Sequence, residues 1–258
     1  MAQEPTDHAQ GWDAAWSDTA FADELSTLSY DWLQPTLEFI QRQLSPGSRV
    51  LEAGCGPGRM LHYLRENGHY PVGIDCSMTA LRVAREHVPG APLVLGDVLG
   101  LPFEDRAFDG YVSLGVIEHF RGATVDQCLQ EARRVLRDGG RLILSVPHIH
   151  PLARIDGPLK AAYRTLRGLP APQADEHEPP GRYYRHDEVV EAVRRNGFEI
   201  REVAPLGHEY AFHSFSGIFR KRQGYHDVTG SAKALARMCR SVAPWATAFQ
   251  TFVAASRA

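Results

Sequence analysis

The sequence has few cysteines and spaces them widely. Cys55, Cys76, Cys128 and Cys239 form no CxxC pair, which excludes a zinc ribbon or a dense disulfide framework and fits free thiols in a reducing cytosol. It also lacks an excess of either charge: 28 Lys+Arg against 31 Asp+Glu leave a net charge of -3, so no general field draws it toward phosphate backbones or anionic lipid. No run of about 18 apolar residues occurs. The opening residues Met1 to His8 have neither the basic start nor the apolar stretch of a signal peptide. These absences predict a cytoplasmic protein with no membrane association and no nucleic-acid partner; they are silent on oligomeric state. Internal repeats and low-complexity tracts are lacking too. What is present is 258 residues at 43% hydrophobic content, enough for one α/β domain with a small cap.

Trp12, Trp16, Phe21, Leu25 and Leu28 recur at helical intervals, followed by Tyr30, Trp32, Leu33, Leu37 and Ile40, which predicts two N-terminal helices over residues 1–45. Pro46-Gly47 breaks that pattern. From residue 46 onward strand and helix signals alternate, with strands expected near 48–53, 70–75, 92–96, 109–115 and 140–146. A helix is expected over 124–137, opened by a Thr124/Gln127 capping box and stopped by Gly139-Gly140. Between Pro147 and Gly181 stand seven prolines, which predicts an inserted lid rather than another strand and helix. A helix over 186–196, a strand at Phe198-Glu199-Ile200, a second insertion over 207–244 and a closing strand over 248–253 complete the pattern.

The first buried strand runs into Glu52-Ala53-Gly54-Cys55-Gly56-Pro57-Gly58. Glycines there remove Cβ atoms where the backbone must turn and approach a ligand, and the following helix start favours an anionic group. A dinucleotide-binding turn is the close competitor, but it wants G-x-G-x-x-G, and this chain has G-x-G-x-G with Arg59 at the third glycine position. Asp75 ends the second expected strand, where its carboxylate suits the hydroxyls of a ribose, and Ser77 rather than Asp75 is placed to cap the next helix. Asp97, just after the third strand, suits an adenine amino group with Val98 packed on the ring. Ligands of open parallel sheets bind outside the carboxyl ends of the strands, and all three acids lie at such ends.

Glu52 to Gly58, Gly73-Ile74-Asp75, Gly96-Asp97-Val98, Phe108-Asp109-Gly110-Tyr111-Val112 and Arg134 to Leu142 together resemble the successive motifs of class I S-adenosylmethionine-dependent methyltransferases, the small-molecule, ubiquinone/menaquinone-biosynthesis-like branch in particular. The resemblance covers roughly residues 48 to 147, with a weaker continuation at Tyr183 to Val190 and Asn196 to Ile200. It implies a Rossmann-like α/β fold: a seven-stranded, mostly parallel sheet with an antiparallel last strand beside the sixth, helices on both faces, an N-terminal helical cap and an inserted lid. It also implies S-adenosylmethionine as cofactor, with Gly54, Gly56 and Gly58 along its methionine part, Glu52 at its ammonium, Asp75 at the ribose, and Asp97 and Val98 at the adenine. The same motif positions add Cys55, Cys76 and Leu114 as cofactor contacts.

Methyl transfer needs a base only where the acceptor arrives protonated. His119, in Ile117-Glu118-His119 after the fourth strand, and His148, after the fifth, are the candidate bases. Metal-dependent relatives carry a further glutamate at the position of Gly115, so no metal site is expected. Trp16 and Tyr30 from the N-terminal side, and Tyr183 and Tyr184 from the C-terminal side, are the candidate acceptor contacts. The expected activity is methylation of an oxygen, nitrogen or carbon of a small molecule; a tRNA or protein methyltransferase and a non-catalytic cofactor-binding module are the alternatives.

Overall fold

A computed structural model of the chain describes residues 5–16, 25, 27–29, 33–149, 165, 181–210 and 229–258. Seven strands form one sheet in the order β3-β2-β1-β4-β5-β7-β6: β1 (Arg49–Ala53), β2 (Tyr70–Asp75), β3 (Leu93–Leu95), β4 (Phe108–Leu114), β5 (Leu136–Pro147), β6 (Phe198–Leu206) and β7 (Gln250–Arg257). β7 inserts between β5 and β6 and runs antiparallel to both, while β1 to β5 pair in parallel. This is the sheet that the resemblance implies.

The strands are β-branched and leucine-rich because both faces are covered. On one face Leu51, Ile74, Leu142, Leu144 and Val146 pack with helices α5 (Ala123–Val135) and α6 (His186–Arg195). On the other, Val50, Val112, Ile143 and Phe252 pack with α2 (Gln34–Gln43) and α3 (Arg59–Glu66). The alternation of Ile143 with Leu142 and Leu144 is the period of two that a strand between two helical layers imposes. Helix α4 (Met78–His87) opens at Ser77, whose hydroxyl accepts the Ala80 amide at 3.1 Å, as the sequence predicts. α1 (Pro5–Trp16) precedes these, and α7 (Gly230–Val242) with the short α8 (Pro244–Thr247) leads into β7.

Three local expectations fail for identifiable reasons. Gly122, at φ 54°, occupies the N-cap of α5, and Gln127 donates its amide to the Leu99 carbonyl at 2.8 Å instead of closing a capping box. α5 ends at Val135, before Gly139-Gly140, because Leu136 already pairs with Phe108 as the start of β5. The last strand begins at Gln250 and runs to Arg257, held by β5 on one side and β6 on the other. Among the described residues the first N-terminal helix ends at Trp16, and the second is α2. Most of the two insertions, 150–164, 166–180 and 211–228, together with Tyr30, lies outside the described residues. No helix among the described residues is long and apolar enough to cross a membrane.

Candidate active site

The carboxyl ends of β1, β2, β3 and β4 converge on one cavity. Its wall follows the strand order: Gly54 after β1, Asp75 and Cys76 at β2, Gly96, Asp97 and Val98 after β3, and Leu114, Gly115 and Val116 after β4. His119 and Phe120 close one side, and Trp12 and Trp16 of α1 form a further wall. A doubly wound sheet opens at this crevice because the connections leave β1 toward opposite sides.

The glycine turn is fixed by its neighbour strand. Gly54 and Cys55 donate their amides to the Ile74 carbonyl at 2.9 and 3.1 Å. Gly54 has φ 77°, and a Cβ there would stand 2.4 Å from Val116 Cγ2, inside the cavity wall. Asp75 is buried, and its two oxygens accept the Gly56 amide and the Ser77 amide, each at 2.8 Å. Burial raises its pKa, against the lowering by those amides. Asp97 accepts the Leu99 amide at 2.9 Å through Oδ1, a tight turn that holds Val98 inward and buried. Burial pushes the Cys76 thiol up to about 12, so at neutral pH it is an uncharged wall rather than a nucleophile.

The other cofactor positions fall elsewhere. Gly58, at φ 91°, places its missing Cβ 3.1 Å from both Ala84 and Val88, so it serves the packing of α4 on the turn rather than the cavity. Cys55 is buried in a cluster with Leu61, Leu81 and Val88. Gly56 faces Trp16, whose ring lies 3.2 Å from the Cβ position. Glu52 lies buried outside the cavity lining, with its pKa pushed well up by burial against the charge of Arg59 and the amide of Leu61 in the first turn of α3. Its Oε2 has no hydrogen-bond partner among the described residues.

Of the candidate bases, His119 lines the cavity and meets the Trp12 ring edge-on, 4.9 Å between centroids. His148 does not line it: it is buried with Nδ1 3.0 Å from Thr251 Oγ1 and its ring 5.1 Å from Trp245. Of the acceptor contacts among the described residues, Trp16 lines the cavity, and Tyr183 and Tyr184 do not. Tyr184 is a core residue whose hydroxyl reaches the Ile117 carbonyl at 3.4 Å, and Tyr183 points its ring to the surface at 50% exposure. An alternating strand sends adjacent side chains to opposite sides, and the bridge between Tyr184 and His148 applies that rule here. Gly115, at φ 74°, explains why no glutamate stands at that position: the turn needs left-handed backbone. Sequence reasoning passed over Gly96, Val116 and Phe120; only their adjacency to Asp97, Gly115 and His119 marked them.

Residues 51–144 match the family described as "Methyltransferase domain". This stretch is similar to methyltransferase domains. The chain is 30% identical over 225 residues to an uncharacterized 37.1 kDa protein in transposon TN4556 of Streptomyces fradiae, covering 83% of this chain and 59% of that one. It is 37% identical over 113 residues to Probable tRNA methyltransferase 9B of Mus musculus, covering 42% of this chain and 24% of the relative. Among solved structures, Burkholderia thailandensis 1,6-didemethyltoxoflavin-N1-methyltransferase with bound 1,6-didemethyltoxoflavin and S-adenosylhomocysteine superposes at TM-score 0.61 with 16% identity, covering 100% of this chain and 92% of that one. That likeness is one of fold. The chain spans less than two thirds of the length of these two sequence relatives.

Proposed function

We propose that the chain is an S-adenosylmethionine-dependent methyltransferase acting on an oxygen, nitrogen or carbon atom of a small molecule. The observation that carries this reading is the convergence of Gly54, Asp75, Asp97 with Val98, and Leu114 on one cavity at the ends of four consecutive strands. The residues fit the cofactor: the missing Cβ of Gly54 leaves room against Val116, and Asp75 offers a buried carboxylate. Asp75 would hold the ribose, Asp97 and Val98 the adenine, and Gly54 the methionine end.

When bound, S-adenosylmethionine supplies a methyl group already activated on a sulfonium. The chain's own part is to hold the acceptor in line, which in favourable cases is worth roughly 7–11 kcal/mol. His119 is the titratable side chain of the described lining beside Asp75, Cys76 and Asp97, and as a neutral imidazole it would take the proton of a phenol or alcohol. Apart from these groups the described wall is apolar and aromatic, which suits a small uncharged acceptor. The mouse relative's name favours a second reading, methylation of tRNA, although the net charge of -3 advertises no phosphate-binding surface.

The test is release of S-adenosylhomocysteine with a panel of phenols, amines and quinone precursors on one side and total tRNA on the other. Turnover with a small molecule and none with tRNA supports the proposal. Turnover with tRNA alone replaces it by the second reading, and cofactor binding without turnover in either arm replaces it by a binding module.

A further inference from the structure

α1 brings three side chains to the cavity and its rim. Trp12 and Trp16, four residues apart and so on one face of the helix, both line the cavity, with ring centroids 6.3 Å apart. Asp13 between them binds the start of α4. Its Oδ1 accepts the Ser77 hydroxyl at 2.6 Å and the Thr79 amide at 2.9 Å. Ser77 in turn gives its own amide to Asp75 at 2.8 Å, so one oxygen of α1 is two hydrogen bonds away from the carboxylate assigned to the ribose. A carboxylate at a helix N-terminus is favoured by the unpaired amides there, and bonds to an ionised acceptor are stronger than neutral ones. The Trp16 ring meanwhile lies over Gly56, 3.2 Å from its Cβ position. α1 thus covers the glycine turn, and Asp13 ties it to the α4 side of the cavity.

We propose that Asp13 is a positioning residue for the cofactor: by latching α1 to the first turn of α4 it keeps Trp16 closed over the glycine turn, so that cofactor release requires those two hydrogen bonds to open. The inference rests on the cavity being the S-adenosylmethionine site. A cover that must open before a ligand leaves acts on the dissociation rate, while a residue that merely supports the fold acts on stability. Both bonds end on a single oxygen, which makes the latch separable from charge. Asparagine presents the same Oδ1 acceptor, and alanine presents none.

Stopped-flow dissociation of S-adenosylhomocysteine from the full chain, followed by the fluorescence of the two cavity tryptophans, tests this together with thermal unfolding of each variant. Asp13→Ala is expected to release the ligand about tenfold faster, the factor of roughly one lost hydrogen bond to a charged group. Asp13→Asn is expected to fall between the wild type and Asp13→Ala, since its Oδ1 keeps both bonds but without the charge that strengthens them. Should Asp13→Ala fail to fold, Trp16→Ala replaces it, with faster release expected from loss of the cover. Wild-type release rates in Asp13→Ala, or in Trp16→Ala where it is the variant measured, overturn the latch even if the melting temperature falls. Absence of S-adenosylhomocysteine binding to the wild type overturns the cofactor reading itself, a distinct result from bound ligand leaving at an unchanged rate.

Discussion

Gly54 carries the tightest steric constraint in the cavity wall, because a methyl group at its Cβ position would lie 2.4 Å from Val116 Cγ2. The φ of 77° adds backbone strain for any other residue. Gly54→Ala is therefore expected to destabilise by about 1–3 kcal/mol and to reduce S-adenosylhomocysteine affinity at least tenfold, as checked by thermal unfolding and calorimetry. Gly73→Ala is a useful contrast. Its Cβ would stand 2.7 Å from Leu61 Cδ1 and 2.9 Å from Cys55 Sγ, beneath the turn and away from the cavity. It should cost about 1–3 kcal/mol of stability with affinity reduced by less than Gly54→Ala, measured the same way. At this scale the sequence was legible where position along a strand decides function. Asp75, Asp97 and Leu114 follow strand ends, and strand ends are readable. The surroundings of Gly58, Glu52, Tyr184 and His148 were not, since they depend on packing partners that no local pattern names: Ala84 and Val88, the first turn of α3, Ile117, and Trp245.

Arg134 shows how an element distant in sequence fixes the loop after Asp97 and Val98. From the last turn of α5 its guanidinium forks onto both oxygens of Glu131 at 2.8 Å each, reaches the Leu101 and Phe103 carbonyls at 2.8 and 2.7 Å, and meets Asp105 at 2.8 Å. Glu131 also accepts the Leu101 amide at 2.7 Å. The loop that carries Asp97 and Val98 is thereby stapled to a helix. Lysine offers a point charge without the planar fork, so Arg134→Lys should lose about 1–2 kcal/mol of stability and weaken cofactor binding, read by denaturant unfolding and calorimetry. The Arg134 hydrogen bonds hold the Glu131 carboxyl below its usual range, so its folded pKa lies under its unfolded one. That contribution is present above the unfolded carboxylate pKa and is lost as pH falls through the folded value. Acid unfolding profiles should accordingly show a shallower loss of stability on acidification in Arg134→Gln than in the wild type. None of this staple was visible in the sequence, because the fork joins residues about thirty positions apart through backbone carbonyls that every residue possesses. The strands and helices α3 to α6 were visible, because periodicity is local, whereas α7 and α8 fall where an insertion was expected. The starts and ends of helices were less so: Gly122 and Leu136 took over where Thr124 and Gly139 were expected.

Over the whole molecule, the order β3-β2-β1-β4-β5-β7-β6 places every cavity-lining strand end on one edge. The stretch 51–144 that matches the methyltransferase-domain family holds nearly all of that wall, and Trp12 and Trp16 of α1 bring the rest from outside it. The lining at the strand ends was thus legible from motifs, and the part that α1 adds was less so, since a covering helix is specified by packing rather than by a signature. The central claim is that this cavity is an S-adenosylmethionine site and not a dinucleotide site. Isothermal titration of the full chain with S-adenosylhomocysteine and, separately, with a nicotinamide dinucleotide tests it most directly. The account predicts one S-adenosylhomocysteine per chain, with binding abolished or strongly weakened by Gly54→Ala and Asp75→Ala, and no heat of binding from the dinucleotide. Binding of the dinucleotide in its place, or S-adenosylhomocysteine binding that both substitutions leave untouched, would contradict it.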